Sequence, residues 1–233
     1  MEPRDTFVSL EICRSKKHLK EAIAALASEV KGFIVRESQV YEFGATAMVK
    51  LMMTAREENG SQVYFGTLSG DLRELKRSME ALWPLKPDAY FVGVSSLNYN
   101  VIEAVNKDKI LPKLILDTGI ETMAEAHCQA AYRTTREGQL MSFASLAGAW
   151  GFHGIVIPWS ITKEHGWLWG KKWMPLPGIK KFVSVTLSGL NCEETRKAFQ
   201  DTRERDNASM IIRWTGNFGI SAKEQLEFIV GIA

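Results

Sequence analysis

The 233 residues carry 29 basic and 27 acidic side chains, a formal net charge of +2 that gives no electrostatic footprint for bulk nucleic-acid binding. With 45% hydrophobic and 24% charged residues the composition is ordinary for a globular chain, and no apolar run approaches the ~18 residues of a membrane span. The length leaves little room for a second domain, so one domain over 1–233 is expected.

Eight short apolar runs recur, nearly all ending in polar, charged or glycine residues and leading into a helical pattern. TFVSLEIC (6–13) comes first, with Glu11 interrupting it and Cys13 inside it. Ser15 is a candidate N-cap for a helix whose Leu19, Ala22, Ile23, Leu26 and Val30 share a face. GFIVRE (32–37) ends in Arg36 and Glu37, and one helix is expected over 38–58, with Val40, Phe43, Ala47, Leu51 and Ala55 apolar. After the NGS turn comes QVYFGTL (62–68), then Asp71 as a possible cap of a helix that Pro84 ends. AYFVGVSS (89–96) precedes a short helix through Val105, and KLILDT (113–118) ends in Asp117. The stretch 119–151 is long for one crossover and should hold two helices split near 134–138. GIVIPWS (154–160) leads into an irregular segment. KFVSVTLSG (181–189), a charged helix over about 193–205, SMIIRWTG (209–216) and a helix from Ser221 complete the chain.

Strands alternating with helical segments imply parallel βαβ units, and eight of them fit a closed (β/α)8 TIM barrel better than an open sheet. GxGxxG is absent after every strand, which lowers the dinucleotide-binding reading. Barrel enzymes place their chemistry at the carboxyl ends of the strands. That rule picks out Glu11, Arg36, Glu37, Asp71, Ser95, Asp117, Ser160, Ser188 and Arg213.

Each of these has a structural reading beside the functional one. A charge in an apolar strand is costly unless paired or near water; Arg36 and Glu37 end the second strand, so Glu11 is read either in a structural ion pair across strands one and two or as a substrate contact. Asp71 either caps a helix or faces the site, and Asp117 does one or the other too. Ser188-Gly189 and Arg213 to Gly216 end the last two strands, the usual phosphate position of a barrel, where backbone N–H groups and a forked arginine favour an anion. Arg213 as a strand-end ion pair is the alternative. His18, His127, His153 and His165 lack HxH or HExxH spacing, so no metal site is expected, and no GxSxG elbow supports Ser/His/Asp catalysis. Cys13, Cys128 and Cys192 have no CxxC or Cys/His spacing and read as reduced thiols. With an N-terminus, MEPRDTF, lacking the apolar region of a signal peptide, this points to a cytoplasmic protein. GWLWGKKWMPLPG (166–178) emerges after the sixth strand as a lid, a partner surface, a stacking platform, or aromatics covering the rim or a dimer contact.

The strand-end pattern resembles the orotidine-monophosphate decarboxylase superfamily of ribulose-phosphate-binding barrels, which includes hexulose-phosphate synthases. The resemblance spans almost the whole chain as order and spacing of elements. VSLE (8–11) is similar to a first strand ending in an acid, Glu11, and GFIVRESQVYEFG (32–44) to the second strand, with Arg36 nearest the family's lysine. QVYFGTLSGD (62–71) is similar to the third strand and its DxKxxD array. Only Asp71 matches there; Gly66 and Leu68 stand in place of the first aspartate and the lysine. GFHGIVIPWS (151–160) is similar to the glycine-led sixth strand. Ser188 of VTLSGL stands where a proline–glycine phosphate loop is expected, and IIRWTG resembles the glycine–arginine phosphate motif with Ile212 for the glycine.

The resemblance implies a divergent phosphate-binding barrel, a lyase of decarboxylase or aldolase type on a phosphorylated sugar or nucleotide-like metabolite, and not a normal orotidine-monophosphate decarboxylase. Glu11, Arg36, Asp71 and Asp117 would face the reacting carbon; Ser188, Gly189, Arg213 and Gly216 would hold phosphate. No cofactor is expected. The partners expected are a small phosphorylated metabolite and a second copy of the chain in a homodimer, with no membrane. The alternative is a non-catalytic barrel that binds a protein or nucleic acid through 166–178.

Overall fold

A computed structural model describes residues 4–10, 13, 15–66, 77, 80, 81, 84, 86–93, 113–119, 124–164, 179–186, 193, 197, 198, 200, 202, 208–213 and 227. Eight strands run β1 (Arg4–Ser9), β2 (Val30–Arg36), β3 (Gln62–Gly66), β4 (Ala89–Gly93), β5 (Leu114–Asp117), β6 (Gly154–Pro158), β7 (Lys180–Thr186) and β8 (Ser209–Arg213). Each pairs in parallel with the next, and β8 returns to β1, so the sheet closes into the expected (β/α)8 barrel. Among the described residues six helices are bounded: α1 (Lys16–Leu26), α2 (Glu37–Phe43), α3 (Ala45–Asn59), α4 (Glu125–Tyr132), α5 (Arg136–Ala149) and α6 (Trp159–Glu164).

The period-two alternation of the strands sorts side chains into two cores. Phe7, Ile34, Tyr64, Phe91, Ile115, Val156, Phe182 and Ile211, one from each strand, cluster together with Ala89. Rings from non-adjacent strands touch in this cluster: Phe7 stacks on Tyr64 at 4.4 Å between centroids, and Phe182 meets Phe91 edge-on at 6.2 Å. Only the inside of a closed barrel brings such strands together, so this set fills the interior. The other parity, including Val8, Phe33, Val35, Val63, Phe65, Leu116 and Ile155, faces outward. It packs on Leu19, Ala22 and Leu26 of α1, Met48 and Met52 of α3, and Leu140, Phe143 and Ala147 of α5.

Two helices begin at side-chain caps. Ser15 caps α1, its Oγ accepting from the backbone N–H of His18 at 3.1 Å, and Thr135 caps α5 by accepting from Gly138 at 3.0 Å. The split of 119–151 falls at residues 133–135, as the pattern predicts. Elsewhere local conformation departs from expectation. The single helix over 38–58 is two, because Gly44 takes φ +85 and ψ 137, a backbone state open to glycine and not to the helix. Glu37 is the first residue of α2 and not a strand end. β1 stops at Ser9, so Cys13 lies outside the strand, its N–H closing a turn on the Leu10 carbonyl at 3.0 Å. Pro158 ends β6, and Ser160 is an exposed residue of α6. A proline cannot extend a ladder that needs its N–H.

Candidate functional site

Counting two residues onward from the interior ring gives the next inward layer: Ser9, Arg36, Gly66, Gly93, Asp117, Pro158, Ser184 and Arg213. These are the last inward positions of their strands except in β7, which continues to Thr186, the residue in register with Arg213. Three are charged, on β2, β5 and β8. The Asp117 carboxylate is the meeting point. Its Oδ1 accepts from Arg213 Nη2 at 2.6 Å, and Arg36 Nη1 lies 4.0 Å from its Oδ2. The three side chains are only 9%, 15% and 13% exposed for Asp117, Arg213 and Arg36, so water screens them little. Arg36 Nε also donates to Ser9 Oγ at 3.4 Å, and Ser9 is fully buried.

β1 lies between β8 and β2, and Ser9 pairs in register with Arg213. Arg213, Ser9 and Arg36 therefore line one side of the mouth, and Asp117 reaches in from β5 on the other. Two polar side chains fix this geometry. Thr118 Oγ1 donates to the Val156 carbonyl at 2.9 Å, tying the end of β5 to β6. Gln39, 3% exposed, accepts from the Arg36 N–H at 3.0 Å through Oε1 and donates from Nε2 to the Leu10 carbonyl at 2.7 Å. Gln39 thus knits the ends of β1 and β2 and sets the backbone of Arg36. Sequence reasoning passed over it; its signal was a glutamine at the third position of a helix that starts at a strand end.

Of the predicted site residues, Arg36, Asp117 and Arg213 stand at one rim, with both arginines facing the Asp117 carboxylate. Glu11, Asp71, Ser188, Gly189 and Gly216 lie outside the described residues, as do Ser95, Leu68 and the segment 166–178. The expected pairing of Arg36 with an acid of β1 is therefore not described; what is described pairs it with Ser9 and with Asp117. Asp117 faces the mouth and also accepts from the Gly119 N–H at 3.4 Å, a short local loop contact.

Gly66 explains why β3 brings no acid to this layer. A Cβ built there would lie 2.7 Å from Phe91 Cβ, closer than real side chains approach. Phe91 holds the space in which a side chain of residue 66 would stand.

The opposite, amino-terminal end carries a separate polar layer. Asp5 Oδ1 lies 2.6 Å from Lys31 Nζ and 3.8 Å from Lys180 Nζ, and Ser209 Oγ donates to its Oδ2 at 2.6 Å. Burial raises the Asp5 carboxyl, but the hydrogen bonds from Lys31 and Ser209 and the Lys180 and Lys31 charges outweigh it and hold it below its ordinary value. Burial, then Lys113 and Lys180, hold His153 below its own. Polar residues at this face of a barrel serve stability. Among the described residues no group of three His, Cys, Asp or Glu could hold a metal ion, and no helix is long and apolar enough to cross a membrane. Burial pushes the Cys13 thiol up to about 12, so it is no nucleophile at neutral pH.

No protein-family model and no curated protein matches this chain. Solved structures do share its fold. Orotidine 5'-phosphate decarboxylase from Pyrococcus horikoshii superposes with a TM-score of 0.64 at 14% identity, covering 96% of this chain and 98% of that one. The Methanocaldococcus jannaschii orotidine 5'-monophosphate decarboxylase, complexed with the inhibitor BMP, gives 0.63 at 12%, covering 98% and 99%. An uncharacterized conserved protein from Geobacillus kaustophilus gives 0.60 at 17%, covering 95% and 98%. The chain thus shares the fold of these barrels along nearly its whole length, at 12–17% identity.

Proposed function

We propose that this chain is a phosphate-binding barrel acting as a lyase, of decarboxylase or aldolase type, on a phosphorylated sugar or nucleotide-like metabolite. The observation that carries this is the convergence of Arg36, Asp117 and Arg213 from three separate strands on one poorly exposed mouth. The names of the two archaeal structures, both enzymes of an orotidine phosphate, support the ligand class.

In this reading Arg213 and the backbone of Ser188, Gly189 and Gly216 hold the phosphate. Cleaving a C–C bond leaves an electron pair on the retained carbon; a cation nearby stabilises it and an acid returns a proton to it. Arg36 is placed for the first task; for the second, a carboxylate among Asp117, Glu11 and Asp71 acts as a relay, taking a proton from a substrate hydroxyl or from water and passing it to the carbon. The lost fragment leaves as carbon dioxide or as an aldehyde, according to the substrate.

A thermal-shift screen of sugar phosphates and nucleoside monophosphates, followed by calorimetry on the hits, tests this. Arg213→Ala should weaken the best ligand by roughly 10- to 100-fold, the worth of a lost charge-assisted hydrogen bond of about 1.5–3 kcal/mol. Wild-type protein that binds no phosphorylated compound, or a variant that binds as well as wild type, removes the phosphate site and leaves the non-catalytic partner-binding barrel.

A further inference from the structure

We propose that Asp117 is the specificity-determining residue of this mouth. It admits oxyanions that bring their own proton donor and turns away those that do not. The inference rests on the reading of Arg213 as the anion-binding residue and adds a second requirement to it.

The geometry is unusual for an anion site because an acid is built into it. Arg213 comes from β8 and its guanidinium crosses toward β5, three strands away around the sheet, to meet Asp117 Oδ1 at 2.6 Å. The second carboxylate oxygen faces Arg36 Nη1 at 4.0 Å. The carboxylate is 9% exposed and its strand end is pinned by the Thr118 bond to Val156, so it has little room to swing aside.

A guanidinium presents its donors as a planar fork, and acceptors on neighbouring prongs sit side by side. An oxyanion held by Arg213 therefore lies next to the Asp117 oxygens. If every oxygen of that ligand is ionised and bare, two like charges face each other in a site that water screens little. If the ligand carries an O–H or N–H at that point, the same closeness becomes a charge-assisted hydrogen bond to Asp117. The sign of the interaction is set by one proton on the ligand. The matching ligand class is a phosphate with a hydroxyl on or beside it: hydrogen phosphate itself, or a phosphorylated polyol or sugar.

Inorganic phosphate and sulfate make the cleanest comparison. They are alike in shape, but near neutral pH phosphate keeps one P–O–H and sulfate has none. Titration calorimetry of the wild-type chain at pH 7.5 should show phosphate bound at least about tenfold more tightly than sulfate. In Asp117→Asn, whose amide donates to either anion, the two affinities should come together, chiefly because sulfate improves. Methyl phosphate and glycerol phosphate extend the test to esters: wild type should favour the one with hydroxyls, and the variant should not.

Wild-type protein that binds phosphate and sulfate equally overturns the inference while the phosphate reading stands. So does an Asn variant that keeps the wild-type preference. Wild-type protein that binds neither anion and no ester defeats the phosphate reading, and this inference with it. If the Asn variant does not fold, Asp117→Ser takes its place and is read against the wild-type ratios for both ligand pairs.

Discussion

Replacing Gly66 tests whether the barrel interior is closed against an acid on β3. Gly66 pairs with Arg36 in the β2–β3 register, and the decarboxylase pattern has its first aspartate there. In Gly66→Ala the new Cβ would lie 2.7 Å from Phe91 Cβ and 3.4 Å from two atoms of its ring. Phe91 cannot yield cheaply. It is 2% exposed, and its ring is held 5.8 Å from Tyr64 and 6.2 Å from Phe182 between centroids. The atom in the way is a Cβ, so changing the Phe91 rotamer does not move it. Overpacking of this kind costs about 1–3 kcal/mol. Removing a glycine returns about 0.4–1 kcal/mol through the unfolded state. The net loss should be roughly 1–2 kcal/mol, a fall in melting temperature of roughly 2–8 °C for a chain of this size. Gly66→Asp should cost about 1–3 kcal/mol more, because it also buries a carboxyl beside aromatic rings. Calorimetric or circular-dichroism melting of the three proteins measures both steps. Gly66→Ala melting at or above wild type would show that Phe91 does not close the position. The absent aspartate would then be a simple substitution and not a packing constraint.

Three further outcomes are expected. The purified protein should release no carbon dioxide from orotidine monophosphate, since Gly66 and Leu68 lack the acid and the proton donor of the decarboxylase array; turnover in a direct assay would show that the third strand has been aligned wrongly. Asp5, ordinarily near 3.8, is held lower in the folded chain, so its stabilisation is whole above 3.8 and is lost as pH falls through the lower folded value. Urea midpoints should therefore drop more between pH 6 and pH 3 in wild type than in Asp5→Asn, and equal drops would assign the acid sensitivity elsewhere. Phe7→Ala, at a fully buried ring stacked on Tyr64, should cost about 3–5 kcal/mol in chemical denaturation, and a loss under about 1 kcal/mol would mean that the interior ring is not the core.

Local pattern was enough for much of this molecule. The alternating runs set the eight strands, their number and crossovers implied closure, and Ser15 and the break near 134–138 could be read from capping chemistry alone. The strand-end rule picked out Arg36, Asp117 and Arg213, and in the barrel each lies two residues beyond a member of the interior ring. What no local pattern contains is who meets whom across the mouth. Arg213 and Asp117 are 96 residues apart, and their 2.6 Å contact exists only because the sheet closes and brings β5 and β8 to face each other. The expected partner of Arg36 was an acid of the neighbouring strand; the described contacts go to a buried serine and to a carboxylate from the far side. Gln39 and Phe91 matter for the same reason. One serves two strand ends and the other fills the space beside a glycine on the adjacent strand. Periodicity is a property of one segment and is written in it. The site is a property of the space that closure encloses, and that space belongs to all eight strands at once.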